Sequence, residues 1–143
     1  MLTHVRSETA EFIQKCISAH FSLATLTKSA LEAVLEVPKK LEHGHLALPV
    51  FILAKELKKA PPLIAKEVAQ ALEASADPLR TKAVAMVQPV GGYVNITFTD
   101  TYFQNALIQA AQAPEGKIGH SNSGAGKTVV IDYSSPNVAK PMH

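Results

Sequence analysis

The sequence predicts an α+β domain over residues 1–113, a glycine-rich linker over 114–127, and the start of a second, α/β domain over 128–143. Three observations carry that expectation. Helical spacing of apolar residues recurs along the first 113 positions, interrupted by short alternating runs that suit half-buried strands. Four of the seven glycines then fall within 114–127, where no hydrophobic period survives. Finally TVVID (128–132) is an apolar, β-branched run of the kind buried on both faces of a parallel sheet. The eleven residues after Asp132 cannot supply the rest of such a sheet, so the second domain is expected to be truncated.

The elements follow in order. Over 3–21, Val5, Phe12, Ile13, Cys16, Ile17 and Phe21 share a helical face, with Thr3 as a possible cap. Alternation of Leu31, Ala33, Leu35 and Val37 predicts a short strand at 31–37. KKLEHGHLAL (39–48) reads as a loop centred on Gly44, with Pro49 in the first turn of a helix carrying Val50, Leu53, Ala54 and Leu57. Pro61 and Pro62 start another helix, striped by Ile64, Val68, Ala71 and Leu72 and ended by Asp77 and Pro78. Residues 81–88 predict a strand, Pro89 to Gly92 a turn, and 93–98 the clearest strand, with Val94, Ile96 and Phe98 inward and Tyr93, Asn95 and Thr97 outward. A last helix, capped by Asp100 or Thr101, carries Phe103, Ala106, Leu107 and Ala110 and closes at Pro114.

Composition bounds the function. At 143 residues the chain buries about 68–70% of its unfolded surface and needs no metal or disulfide staple. A hydrophobic fraction of 47% with 18% charged residues is globular. The net charge of +2 is too mild to announce nucleic-acid binding, so any such contact must use a local patch. The single Cys16 excludes an internal disulfide and reads as a small buried thiol. The charged start MLTHVRSETAEF is not a secretory signal, and no run approaches 18 apolar residues. These features predict a cytoplasmic protein with no membrane segment.

Several residues could carry chemistry. SGAGKT (123–128) approximates a phosphate-binding loop, but Ser121 stands where its first glycine belongs, and the run precedes a strand instead of opening a helix. His43 and His45 lack the further ligands that a metal requires, so no metal site is expected, and both read as solvated loop residues. Lys55, Lys58 and Lys59, with Lys39 and Lys40 upstream, form either a solvated face or a contact for a phosphate backbone. Tyr93 and Asn95 share one strand face. They are either a half-buried tyrosine and a turn-proximal asparagine, or an aromatic that stacks on an unpaired base beside an amide that reads it. In DYSSPNVAKPMH (132–143), Asp132 offers a carboxylate, and Ser134, Ser135 and Asn137 offer neutral hydrogen-bonding groups. Lys140 offers a charge for phosphate and His143 a donor, all beyond a strand's carboxyl end, where α/β proteins place ligands.

This last segment closely resembles the start of the catalytic domain of class I arginyl-tRNA synthetases, with His143 at the first histidine of the family's nucleotide-binding signature. Upstream, EHGHLALPVFILAKELKKAPPLIAKEV (42–68) and QPVGGYVNITF (88–98) resemble the family's N-terminal additional domain. The resemblance implies a two-layer α/β fold whose four-stranded antiparallel sheet carries helices on one face, followed by the first strand of a Rossmann-like catalytic domain. It implies that Tyr93 and Asn95 contact a D-loop base, commonly adenine; beside them, the reading of Lys55, Lys58 and Lys59 as phosphate contacts makes these lysines the expected further tRNA contacts. Asp132, Ser135 and Asn137 match positions around bound arginine; Lys140 and His143 match catalytic positions serving ATP. The implied parent attaches arginine to its tRNA through an arginyl-adenylate, using ATP with Mg as substrate and no tightly bound cofactor, as a monomer in the cytoplasm. Gly44-His45-Leu46 and Val90-Gly91-Gly92 depart from the family's usual Gly-Asp-aromatic and Gly-Pro-Gly. The chain alone is expected to be inactive as a ligase. The rival readings are a free-standing RNA-binding or adaptor domain, and a globular interaction module without RNA affinity.

Overall fold

The computed structural model describes residues 2–21, 26–112 and 124–131. Its contacts divide the chain into two units, Met1–Ala113 and Pro114–His143.

The first unit opens with helix α1 (Leu2–Phe21) and α2 (Lys28–Val34), followed by a 3-10 turn at Leu41–His43 and strand β1 (Leu46–Pro49). Helices α3 (Phe51–Leu57), α4 (Pro61–Glu73) and α5 (Pro78–Lys82) come next, then the hairpin β2 (Val84–Val90) and β3 (Tyr93–Phe98), and finally α6 (Asp100–Ala111). The sheet is antiparallel in the order β1-β3-β2. Helix α4 packs on β2 and β3, and α1 packs on α4 and α2.

Periodicity places the core where the sequence predicts it. Val94, Ile96 and Phe98 of β3 are buried with Leu46 and Leu48 of β1. Phe12, Ile13 and Ile17 of α1 and Ile64, Val68 and Leu72 of α4 join them in one cluster. Thr9, inside the apolar face of α1, is fully buried, and its hydroxyl donates to the Val5 carbonyl at 2.6 Å.

Among the described residues the sheet has three strands, not four. The predicted strand at 31–37 is instead α2, whose N-cap Thr27 accepts a hydrogen bond from the Ala30 amide. Leu31 and Leu35 are buried at the helical spacing of four, while Val37 is 56% exposed. The alternation contained a helical pair, and the local cap decided for the helix. The chain turns extended at Leu35, and Glu36 then forms one isolated bridge with Ala47, all that stands in place of a fourth strand.

Other boundaries also moved. The predicted loop at 39–48 ends early, because Leu46–Pro49 pairs with β3, so Pro49 closes an edge strand where it forfeits no ladder hydrogen bond. Residues 80–82 belong to α5, which Asp77 caps by accepting from the Leu79 amide. Pro89 and Val90 lie in β2, leaving Gly91 and Gly92 alone as the turn. A register irregularity between Val84 and Met86 lets Val84 and Val87 both reach the core despite their odd spacing. Thr99, not Asp100 or Thr101, caps α6. Helix α1 starts at Leu2, which puts Thr3 inside its first turn and not at its cap.

In the second unit, residues 124–126 form a turn that the Lys127 amide closes on the Gly124 carbonyl at 3.0 Å. Residues 127–131 form neither helix nor strand, and Val130 is 91% exposed. Thus no strand exists over 128–131, and over the described residues 128–131 no helix opens after Lys127 as a phosphate-binding loop would require. A run such as TVVI cannot satisfy its backbone or bury its side chains without neighbouring strands.

Candidate nucleic-acid interface

Three backbone devices build a site on the sheet face opposite α4. The first is Gly44. Its φ of +85° is costly for residues with a Cβ, and a Cβ there would lie 2.8 Å from the Ile96 carbonyl oxygen. That close approach seats the 39–45 segment against β3. His45 completes the seating: its amide donates to the Ile96 carbonyl at 2.9 Å, and its Nδ1 accepts from the Phe98 amide at 3.0 Å. Its ring also meets Phe103 edge-on at 4.8 Å. His45 is therefore a structural clasp, contrary to its reading as a solvated loop residue.

The second device is a row across the sheet. Glu36 and Ala47 exchange both backbone hydrogen bonds, at 3.0 and 2.8 Å. Ala47 lies opposite Asn95, and Asn95 opposite Gln88. Residues directly opposite one another share a face, so Glu36, Ala47, Asn95 and Gln88 line up on the outer side. The third device is the Gly91–Gly92 turn. A Cβ on Gly92 would lie 2.5 Å from the Phe51 ring. The bare backbone admits that ring, which meets Tyr93 edge-on at 5.5 Å.

The result is a pocket of about 240 Å³. Ala47 and Asn95 form its floor, Tyr93 and Val90 one wall, and Pro38, Lys39 and His43 the other, with Glu36 at the end of the row. The size is below the ~300–1,000 Å³ of sites for drug-sized ligands and suits one flat ring. Tyr93 is 36% exposed and can present its ring face; Asn95 is only 6% exposed. No hydrogen bond to the Asn95 side chain occurs among the described residues. The sequence placed Tyr93 and Asn95 on one face correctly but made that face fully outward. Instead, the segment 36–43 folds over it, and Asn95 becomes the base of a depression. Glu36 and His43 were missed, because their place depends on a bridge between residues eleven apart and on the Gly44 turn.

The lysines divide. Lys55 lies one helical turn beyond Phe51 in α3, while Lys58 is the C-cap of that helix with a left-handed φ of +51°; both lysines are exposed. Lys59 is paired with Glu67 at 2.7 Å. Asp132, Ser135, Asn137, Lys140 and His143 lie outside the described residues.

A larger cavity, about 400 Å³, lies between α1, α5 and α6. Most of its charged groups are already engaged: Lys15 meets Glu11 at 3.0 Å and Asp77 at 4.0 Å, and the Tyr102 hydroxyl donates to Glu8 at 2.9 Å. Hydrogen bonds from Lys15 and Lys28 hold the Glu11 carboxyl below its usual range. Burial, then the Glu8 hydrogen bond, pushes the Tyr102 phenol well above its own. This is a clasp between helices. Among the described residues no group of three or more His, Cys, Asp or Glu could hold a metal ion.

Fold and pocket together define a class: a small α+β domain with a pocket of mixed apolar and polar lining, sized for one ring, on the sheet face away from its main helix. Residues 9–98 match the family model of the arginyl tRNA synthetase N terminal domain, and residues 104–143 that of the class I (R) tRNA synthetase catalytic domain. The chain belongs to the arginyl-tRNA synthetase family. An arginine–tRNA ligase of Bacillus thuringiensis is 47% identical over 117 residues, 82% of this chain and 20% of the relative. One from Clostridioides difficile is 37% identical over 131 residues, 92% of this chain and 22% of the relative. The solved Thermus thermophilus arginyl-tRNA synthetase matches with a TM-score of 0.54 and 27% identity, over 77% of this chain and 16% of that one. The chain thus spans about one-fifth of the length of the curated relatives it matches.

Proposed function

We propose that this chain is the tRNA-reading part of an arginine–tRNA ligase, and that its pocket takes one unpaired base of the tRNA D-loop. The observation that carries this reading is Asn95, a residue only 6% exposed whose amide has no hydrogen-bond partner among the described residues, on the pocket floor beside the half-open Tyr93 ring. An aromatic face stacks on any base, while a primary amide pairs with the N6 and N7 edge of adenine. Unpaired loop bases are what proteins read in RNA, since the grooves of its helices expose little. The exposed Lys55 and Lys58, on α3 and at its C-cap, would track the backbone phosphates; Lys59, tied to Glu67, would add less.

The whole protein would join arginine to its tRNA with ATP and Mg, through an arginyl-adenylate, in the cytoplasm and as a monomer. The match over 104–143 and the run DYSSPNVAKPMH support that assignment. Asp132, Ser135 and Asn137 would surround arginine; Lys140 and His143 would serve ATP and the charge developing on its α-phosphate. The 143-residue chain by itself would bind tRNA without activating arginine.

The test is a titration of the chain with arginine tRNA and with a variant changed at the D-loop base, each at two salt concentrations. The intact tRNA should bind tighter by about 1–3 kcal/mol, and Asn95→Ala should remove the difference. Equal binding of both RNAs with a steep salt dependence would mean that only phosphates are read.

A further inference from the structure

The cross-strand row holds a group that the base-reading proposal leaves unused. Glu36 and Asn95 stand on either side of Ala47 in one line across the sheet, and all three border the pocket. Ala47 is the smallest side chain that keeps strand geometry, so nothing rises between the carboxylate and the amide. A carboxylate is acceptor-only when ionised, and the amide oxygen is also an acceptor. Two acceptors thus face each other across a flat floor one strand away from each. We propose that Glu36 is a specificity-determining residue of this pocket: together with Asn95 it grips the exocyclic amine of the base, so the pocket selects an amino-bearing base. The inference rests on the pocket taking a base at all.

The chemistry is narrow. An exocyclic amine has two N–H bonds that diverge in the plane of the ring, and uracil has no such group. With adenine, one N–H would go to the Asn95 oxygen while the Asn95 nitrogen donates to N7. The second N–H points to the opposite side and would meet Glu36. A carboxylate near RNA is otherwise a liability, since it repels phosphate. It earns its place only by accepting a hydrogen bond, and a base without the amine would leave it desolvated and unpaired. Lys39, on the wall beside Glu36, keeps the local field from turning negative.

The experiment uses the 143-residue chain and arginine tRNA carrying either adenosine or purine riboside, which lacks only the amine, at the D-loop base. The wild-type chain should prefer adenosine by about tenfold or more. In Glu36→Ala that preference should shrink to about threefold, while Glu36→Gln, which loses the charge but keeps an acceptor, should retain most of it. The Glu36 side chain is exposed, so both variants should keep the wild-type circular dichroism and melting temperature. An unchanged preference in Glu36→Ala would overturn the proposal. So would equal tightening of both RNAs in Glu36→Ala and Glu36→Gln, which would mark simple relief of repulsion. Asn95→Ala separates the two readings. If it abolishes base preference while Glu36→Ala does not, only the role of Glu36 falls; if neither variant affects it, base reading falls with it.

Discussion

Tyr102 and Glu8, 94 residues apart in the chain, meet at 2.9 Å and tie the last helix to the first. Tyr102→Phe should cost about 1 kcal/mol in denaturant unfolding, the usual net worth of one such hydrogen bond. The same residue sets a pH dependence. Burial raises the folded-state ionisation of the Tyr102 phenol above its unfolded value, and burial does the same for the Cys16 thiol. The folded chain therefore holds these protons longer than the unfolded one. Stability from both groups is complete below their unfolded values and declines as pH rises past them, first at about pH 8.5 for the thiol and then at about pH 10 for the phenol. Urea midpoints measured between pH 7 and pH 11 should fall, and Tyr102→Phe should flatten the upper part of that fall. Cys16 itself is half-buried, not fully buried, so it should react with a thiol reagent slowly in the native chain and fast in urea.

Among the elements, the 39–45 segment shows how one residue positions a wall of the site. Gly44→Ala should destabilise the chain by about 1–3 kcal/mol from backbone strain alone, with the Ile96 contact adding to it. Because that turn seats His43 and Lys39 beside the pocket, the variant should also lose base discrimination, checked by the tRNA titration. Helix α2 makes the complementary point. Thr27→Ala should cost about 1 kcal/mol through the lost cap, and it leaves the pocket's own side chains untouched. Helix α6 shows where family boundaries and packing differ. The catalytic-domain match begins at residue 104, inside α6, yet Tyr102 and Phe103 at its start pack on the core of the first unit.

For the whole molecule, net charge predicts little and the placement of charge predicts more. A formal +2 spread evenly would give weak, non-specific RNA affinity. Lys55 on α3 and Lys58 at its C-cap are the exposed lysines proposed to form the local patch that such a chain needs. Replacing both with alanine should weaken binding of every tRNA variant alike and reduce the slope of log K against log salt by about 1–2, leaving base preference intact. Lys59→Ala should do less, since that lysine is paired with Glu67.

The sequence by itself determined what periodicity and local chemistry can carry. Helices α1, α4 and α6, strand β3, its inward Val94, Ile96 and Phe98, and the family are all legible without coordinates, because each depends on residues close together in the chain. Tertiary structure decided the rest. Leu31 to Val37 could satisfy either period, and the Thr27 cap with the burial of Leu31 and Leu35 settled it as helix. Leu46–Pro49 is too short to announce itself and exists as a strand because β3 offers it partners. The pocket is the clearest case. Tyr93 and Asn95 were visible as a pair, but Glu36 and His43 reach them through a bridge and a glycine turn that no local pattern records. A site assembled across strands depends on register, and register is set by how distant segments bury their apolar faces against each other.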